Sequence, residues 1–205
     1  MSKIKNLLFD LGGVLLNIDY NKTANAFKIL GVKHFDELYS QADANDLFES
    51  LETGKISEQD FYLTIKTYCN ADVTHQQIEN AWNEMLLNFR TESLDYLIKL
   101  KDQYNIYLLS NTNSIHLSAF TKIFQKETGK VDLDGYFIKA YYSHLIQERK
   151  PYALTYKNVL EDAGIKAEET LFIDDSIKNI DGAKEAGLHV YHLVEGEKIE
   201  DIIIE

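Results

Sequence analysis

The 205-residue chain contains a single proline and a single cysteine. One cysteine excludes an intramolecular disulfide, and with it the stapled scaffolds of small secreted domains; a reducing, cytoplasmic compartment is the expectation. Positive charge is scarce as well: 21 Lys and Arg stand against 33 Asp and Glu, a formal net charge of −12. Such a surface repels polyphosphate chains and anionic lipid, so nucleic acid and membrane surfaces are excluded as partners. No window approaches the roughly 18 uninterrupted apolar residues of a membrane span. The opening "MSKIKNLLFDLGG" has an apolar run too short for a signal peptide, so none is expected. Internal repeats and low-complexity tracts are missing too. What remains is ordinary globular composition, 45% hydrophobic and 26% charged. The length suits one large domain or a core carrying a smaller insertion.

The chain reads in three blocks. Residues 4–10 form an apolar run flanked by glycines, too short for a helix, and are expected as a buried strand. Residues 20–89 show helical periodicity and no strand pattern. "YNKTANAFKILG" closes on Gly31, "SEQDFYLTIKTYC" opens on Ser57 as an N-cap, and Gly54 separates two helices. From residue 90 helices and strands alternate: helix "ESLDYLIKLKDQ", strand "NIYLLSNT", helix "SIHLSAFTKIFQKE", strand "GYFIKAYYS", helix "PYALTYKNVLEDAG", strand "TLFIDDS", helix "NIDGAKEAG", strand "HVYHLV". Alternation implies right-handed crossovers and a parallel sheet covered on both faces. The expected fold is α/β, a Rossmann-like three-layer core of residues 1–17 and 90–205, with an α-helical cap at 18–89.

Ligands of open parallel sheets bind beyond the C-terminal strand ends. The residues that end the apolar runs are Asp10, Ser110-Asn111 and Asp174-Asp175. Each acid alone reads equally well as a turn or cap residue. Together they form a like-charge cluster that needs a cation, and an all-oxygen ligand set suits Mg²⁺. "RKP" at 149–151 brings positive charge. Pro151 fits the first position of the following helix, which puts Lys150 where the helix dipole opposes a cation. A lysine there makes sense if an anion is shared between it and the strand ends.

Four motifs in this order, "FDLGGV" at 9–14, "LLSN" at 108–111, "RKP" at 149–151 and "LFIDDSIKN" at 171–179, resemble the haloacid dehalogenase superfamily, mostly Mg²⁺-dependent phosphatases. The resemblance spans the core, and the helical block after the first motif matches the position and length of that family's four-helix cap. It implies a phosphatase of small phosphorylated metabolites, sugar phosphates foremost. By that resemblance Asp10 is the nucleophile and a metal ligand, and the Gly12 carbonyl is another ligand. Ser110, the Asn111 amide and Lys150 bind phosphate, and Lys150 also neutralises the nucleophile. Asp175 is the direct metal ligand, with Asp174 beside it and Asn179 in support.

The sequence departs from the family at Gly12, where phosphatases usually carry a second Asp as general acid and base, a contribution of roughly 10²–10⁴-fold. Glycine still offers a backbone carbonyl, and its dihedral freedom allows a reshaped loop. The "FDLG" first motif resembles a branch acting on α-glucose-1-phosphate, whose hemiacetal leaving group is acidic enough to need less help. Asp19 is a substitute acid or, more simply, the first helix's cap. Three alternatives stand beside the phosphatase: a metal-independent 2-haloacid dehalogenase, a phosphomutase, and an inactive member binding a phosphometabolite or a protein. His34, His75, His116, His144, His189 and His192 show no metal-ligand spacing. The insertion's aromatics, Phe27, Phe35, Tyr39, Phe48, Phe61, Tyr62 and Tyr68, are expected to be mostly core, with one or two facing substrate. No oligomeric state is assigned.

Overall fold

A computed structural model describes residues 3–33, 35, 39–40, 43–44 and 46–204; His34 lies outside them. In chain order the elements begin with β1 (Asn6–Phe9), β2 (Leu16–Ile18), α1 (Tyr20–Ile29), β3 (Tyr39–Ser40) and β4 (Asp43–Ala44). Next come α2 (Asp46–Glu52), α3 (Glu58–Lys66), α4 (His75–Asn83), β5 (Leu86–Phe89) and α5 (Thr91–Leu100). The remainder are β6 (Asn105–Ser110), α6 (Ser114–Thr128), β7 (Lys139–Tyr142), α7 (Ser143–Ile146), α8 (Ala153–Ala163), β8 (Thr170–Asp174), α9 (Ile177–Glu185) and β9 (His189–His192).

Five strands form one sheet in the order β7-β6-β1-β8-β9, and every pairing is parallel. This is the Rossmann-like sheet expected from the alternation. The period of two is visible in the packing. Leu7, Phe9, Ile106, Leu108, Leu171 and Ile173 point into one core. Leu8, Tyr107, Leu109 and Phe172 point into another on the opposite face. All four residues of β1 are buried, as the middle strand of a doubly covered sheet requires. Helices α6 and α8 end on Gly129 and Gly164 in the left-handed conformation.

Between β1 and β6 the chain builds a second apolar cluster around Phe27, Phe35, Phe48, Phe61 and Trp82, joined by Ile115 of α6. Four of its helices are α1 to α4. Ser57 caps α3, accepting from Asp60 N at 3.1 Å, while Asp60 returns an acceptor to Ser57 N at 3.1 Å. Of the aromatics expected inside, Phe27, Phe35, Phe48, Phe61 and Tyr62 are buried; Tyr68 is 47% exposed and Tyr39 faces a cavity.

Three expectations need correction. Residues 20–89 do contain strands: β5 pairs antiparallel with β2, and β3 with β4. Runs of two to four residues are too short to show a periodicity of their own, and β5 is held by its partner across the two ends of the insertion. The strand read over "GYFIKAYYS" begins with a 3₁₀ turn, Asp134–Tyr136, and is paired as a strand only from Lys139. Pro151 does not open its helix. It follows a cis peptide bond, Tyr152 is the N-cap and α8 starts at Ala153.

Candidate active site

The sheet register brings the candidate residues together. β1 lies between β6 and β8, with Phe9 opposite Leu108 on one side and Ile173 on the other. One residue on, Asp10 emerges beside Asp174, and its N–H donates to Ile173 O at 2.9 Å. Carboxylate oxygens of Asp10, Asp174 and Asp175 lie within 4.8 Å of one another. Lys150 is not at a helix end above the site but inside it, 1% exposed. Its Nζ lies 2.7 Å from Asp10 Oδ1 and 2.7 Å from Asp174 Oδ2.

The surroundings assign the two neighbouring acids different positions. Asp174 is fully buried and accepts from Lys150 Nζ, from Ser176 N at 2.7 Å and from Asn179 Nδ2 at 3.1 and 3.0 Å on its two oxygens. Those bonds saturate it and make it the anchor of the lysine. Asp175 lines the cavity, and its backbone carbonyl accepts from His192 Nε2 at 3.0 Å. Gly13 packs against its carboxylate: a Cβ there would lie 2.0 Å from Asp175 Oδ2, and the residue sits at φ +72°. Only glycine fits that approach without displacement.

One ammonium among three carboxylates, two of them buried, leaves a negative excess. Burial pushes Asp10 up to about 8; Lys150 pulls it down, and Asp174 and Asp175 push it up further. Asp175 is raised by burial and then by Asp174. Burial acts to lower Lys150, but Asp10 and Asp174 outweigh it and hold the ammonium charged. Hard oxygen donors that repel one another are what a divalent cation neutralises, so the donor set fits Mg²⁺.

Ser110 is buried at the end of β6 and, with Asn111, lines the same cavity of about 560 Å³. The Asn111 side chain clasps the lysine loop: Nδ2 donates to Lys150 O and Oδ1 accepts from Lys150 N, both at 2.9 Å. Gly12 is not among the glycines at positive φ, so its backbone does not demand glycine; a Cβ there would meet Ile18 Cδ1 at 3.2 Å. Left-handed freedom is used one residue later, at Gly13. Asp19 caps α1, with Oδ1 accepting from Asn21 N at 3.0 Å.

Tyr39, one of the aromatics expected to be core or to face substrate, lines the cavity. Tyr20, Glu52 and Arg149, with His116 and His192, line it as well and carried no expected role. Arg149, beside Lys150 in "RKP", has its Nε 3.1 Å from Glu52 and its Nη1 3.4 Å from Glu49, both on α2. Burial raises Glu52 against the pull of Arg149. No spacing rule marks these side chains, because each comes from a different element.

The chain belongs to the haloacid dehalogenase-like hydrolase family, whose model matches residues 4–187. It is 34% identical over 189 residues to a D-ribitol-5-phosphate phosphatase of Bacteroides thetaiotaomicron, covering 92% of this chain and 91% of that one. Its fold superposes on a HAD family enzyme of the same organism, solved with magnesium and inorganic phosphate, with a TM-score of 0.85 and 38% identity over 96% of this chain and 97% of the other. A HAD-like family hydrolase of Porphyromonas gingivalis gives a TM-score of 0.86 at 35% identity over 96% and 94% of the two chains. Among the described residues, no helix is long and apolar enough to cross a membrane.

Proposed function

We propose that the chain is a Mg²⁺-dependent phosphatase of small phosphorylated sugars or polyols, working through an aspartyl-phosphate on Asp10. The observation that carries this is Lys150 Nζ at 2.7 Å from both Asp10 and Asp174, with Asp175 beside them, at the ends of adjacent strands. As a phosphoric monoester hydrolase it needs little covalent machinery, since phosphoryl transfer is mainly positioning and charge neutralisation. The relative that removes phosphate from ribitol 5-phosphate supports the substrate class.

Asp10, the Gly12 carbonyl and Asp175 would hold the ion. When bound, Mg²⁺ neutralises charge on the phosphoryl oxygens. Asp174, held by Asn179 and Ser176, aims Lys150, whose ammonium offsets charge on both Asp10 and phosphate. Ser110 and the Asn111 amide orient the phosphoryl group. A carboxylate oxygen of Asp10 forms a bond to phosphorus as the ester P–O bond breaks, and the alkoxide takes its proton from water because Gly12 offers none. Water then attacks phosphorus, and inorganic phosphate and the Asp10 carboxylate are released. Residues 18–89 act as a cap over a core of 1–17 and 90–205, excluding water and selecting the alcohol. The charge balance and the lone cysteine suit a cytoplasmic enzyme that binds neither nucleic acid nor membrane.

Phosphate release from a panel of sugar and polyol phosphates, with Mg²⁺ or with EDTA, tests the reading beside Asp10→Asn. Turnover that needs Mg²⁺ and disappears in the variant is expected. Mg²⁺ binding without turnover of any ester would refute it and favour a binding protein.

A further inference from the structure

We propose that His116 determines substrate choice: its Nε2 accepts a hydrogen bond from a hydroxyl of the esterified alcohol, so hydroxylated phosphate esters are preferred to apolar ones of equal length. The proposal rests on the phosphatase reading and adds to it a residue and a recognition chemistry.

His116 lies in the first turn of α6, 7% exposed, and lines the cavity that holds Asp10. One face of its ring stacks on Trp82, with centroids 4.7 Å apart and planes at 22°. Nδ1 is 2.9 Å from Oδ1 of Asn83, the last residue of α4. A carbonyl oxygen only accepts, so the proton is on Nδ1. Burial lowers the imidazole to about 3 and keeps it neutral. A neutral ring protonated at Nδ1 has a bare lone pair at Nε2.

Among the described residues the ring's hydrogen-bond partner is Asn83 at Nδ1, and His116 lines the cavity. With Nδ1 committed to Asn83 and His116 in the cavity wall, the proposal places Nε2 toward the cavity. An acceptor held without a donor repels phosphate, whose place is at Lys150 and the strand ends. It rewards an O–H on the rest of the ester and penalises a methylene that leaves it unpaired.

The test compares kcat/KM for D-ribitol 5-phosphate and n-pentyl phosphate, with saturating Mg²⁺, in wild type, His116→Phe and His116→Gln. Phenylalanine keeps the stack on Trp82 and removes the acceptor, whereas glutamine keeps an acceptor. His116→Phe should lose about tenfold to hundredfold on ribitol 5-phosphate and less than about threefold on pentyl phosphate. His116→Gln should retain most of the preference. Equal losses on both esters, no loss on either, or no preference in wild type would overturn the proposal. If His116→Phe does not fold, His116→Met replaces it, and equal ratios in the Met and Gln variants overturn the proposal. Wild type that hydrolyses neither ester overturns this proposal; the phosphatase reading falls with it only if no ester of the sugar and polyol phosphate panel is turned over, which separates the two failures.

Discussion

Replacing Gly13 by alanine isolates the placement of Asp175 from the stability of the fold. The new Cβ would lie 2.0 Å from Asp175 Oδ2 and must reach at least the 3.4 Å of ordinary contact. The carboxylate therefore moves by about 1.4 Å, the difference of those two distances. The atom displaced is the end of a side chain facing a cavity, so the fold absorbs it cheaply. The left-handed backbone at φ +72° adds about 1–2 kcal/mol against alanine. For a chain of this size that lowers Tm by about 2–8 °C. The site is less tolerant, since a 1 Å misplacement costs about 10²-fold in rate. Phosphate release across a Mg²⁺ titration, beside thermal melting, reads both effects. The expected outcome is a folded protein with about 10²-fold lower kcat/KM and a higher Mg²⁺ requirement. Full activity with normal Mg²⁺ dependence would refute the reasoning, because Asp175 would then tolerate any position.

Gly182→Ala makes the opposite case. Its Cβ would lie 1.8 Å from Pro151 O, a backbone atom, so α9 and the lysine loop must part. A loss of about 1–3 kcal/mol in denaturant unfolding is expected, together with lost activity; unchanged stability would contradict the packing. The buried His116 ties stability to pH. Its folded value of about 3 lies below the unfolded 6.5, so the unfolded chain binds the extra proton and stability falls as pH drops from about 6.5 toward 3. Relative to His116→Phe, wild type should lose about 1.6 kcal/mol between pH 6.5 and 5, measured by urea unfolding. A difference that stays constant with pH would show that the ring is protonated in the fold.

Much of this protein is readable along the chain because its determinants are local. Alternating apolar runs and helical stretches define the parallel sheet, Ser57 and Gly164 mark helix ends, and "FDLGG", "SN", "RKP" and "DDS" each lie within a few neighbouring residues. Strand-end positions alone bring Asp10, Ser110 and Asp174 to one edge, since parallel strands share a direction. Other features depend on elements far apart in sequence. That β1 sits between β6 and β8, that Lys150 turns inward between two carboxylates, and that Asp174 is saturated while Asp175 faces the cavity follow from pairing and packing. The short strand β5 exists only because β2 lies beside it. His116 shows the division most plainly. In sequence it is one of six scattered histidines; in the fold, Trp82 and Asn83 from another helix fix its plane and its proton.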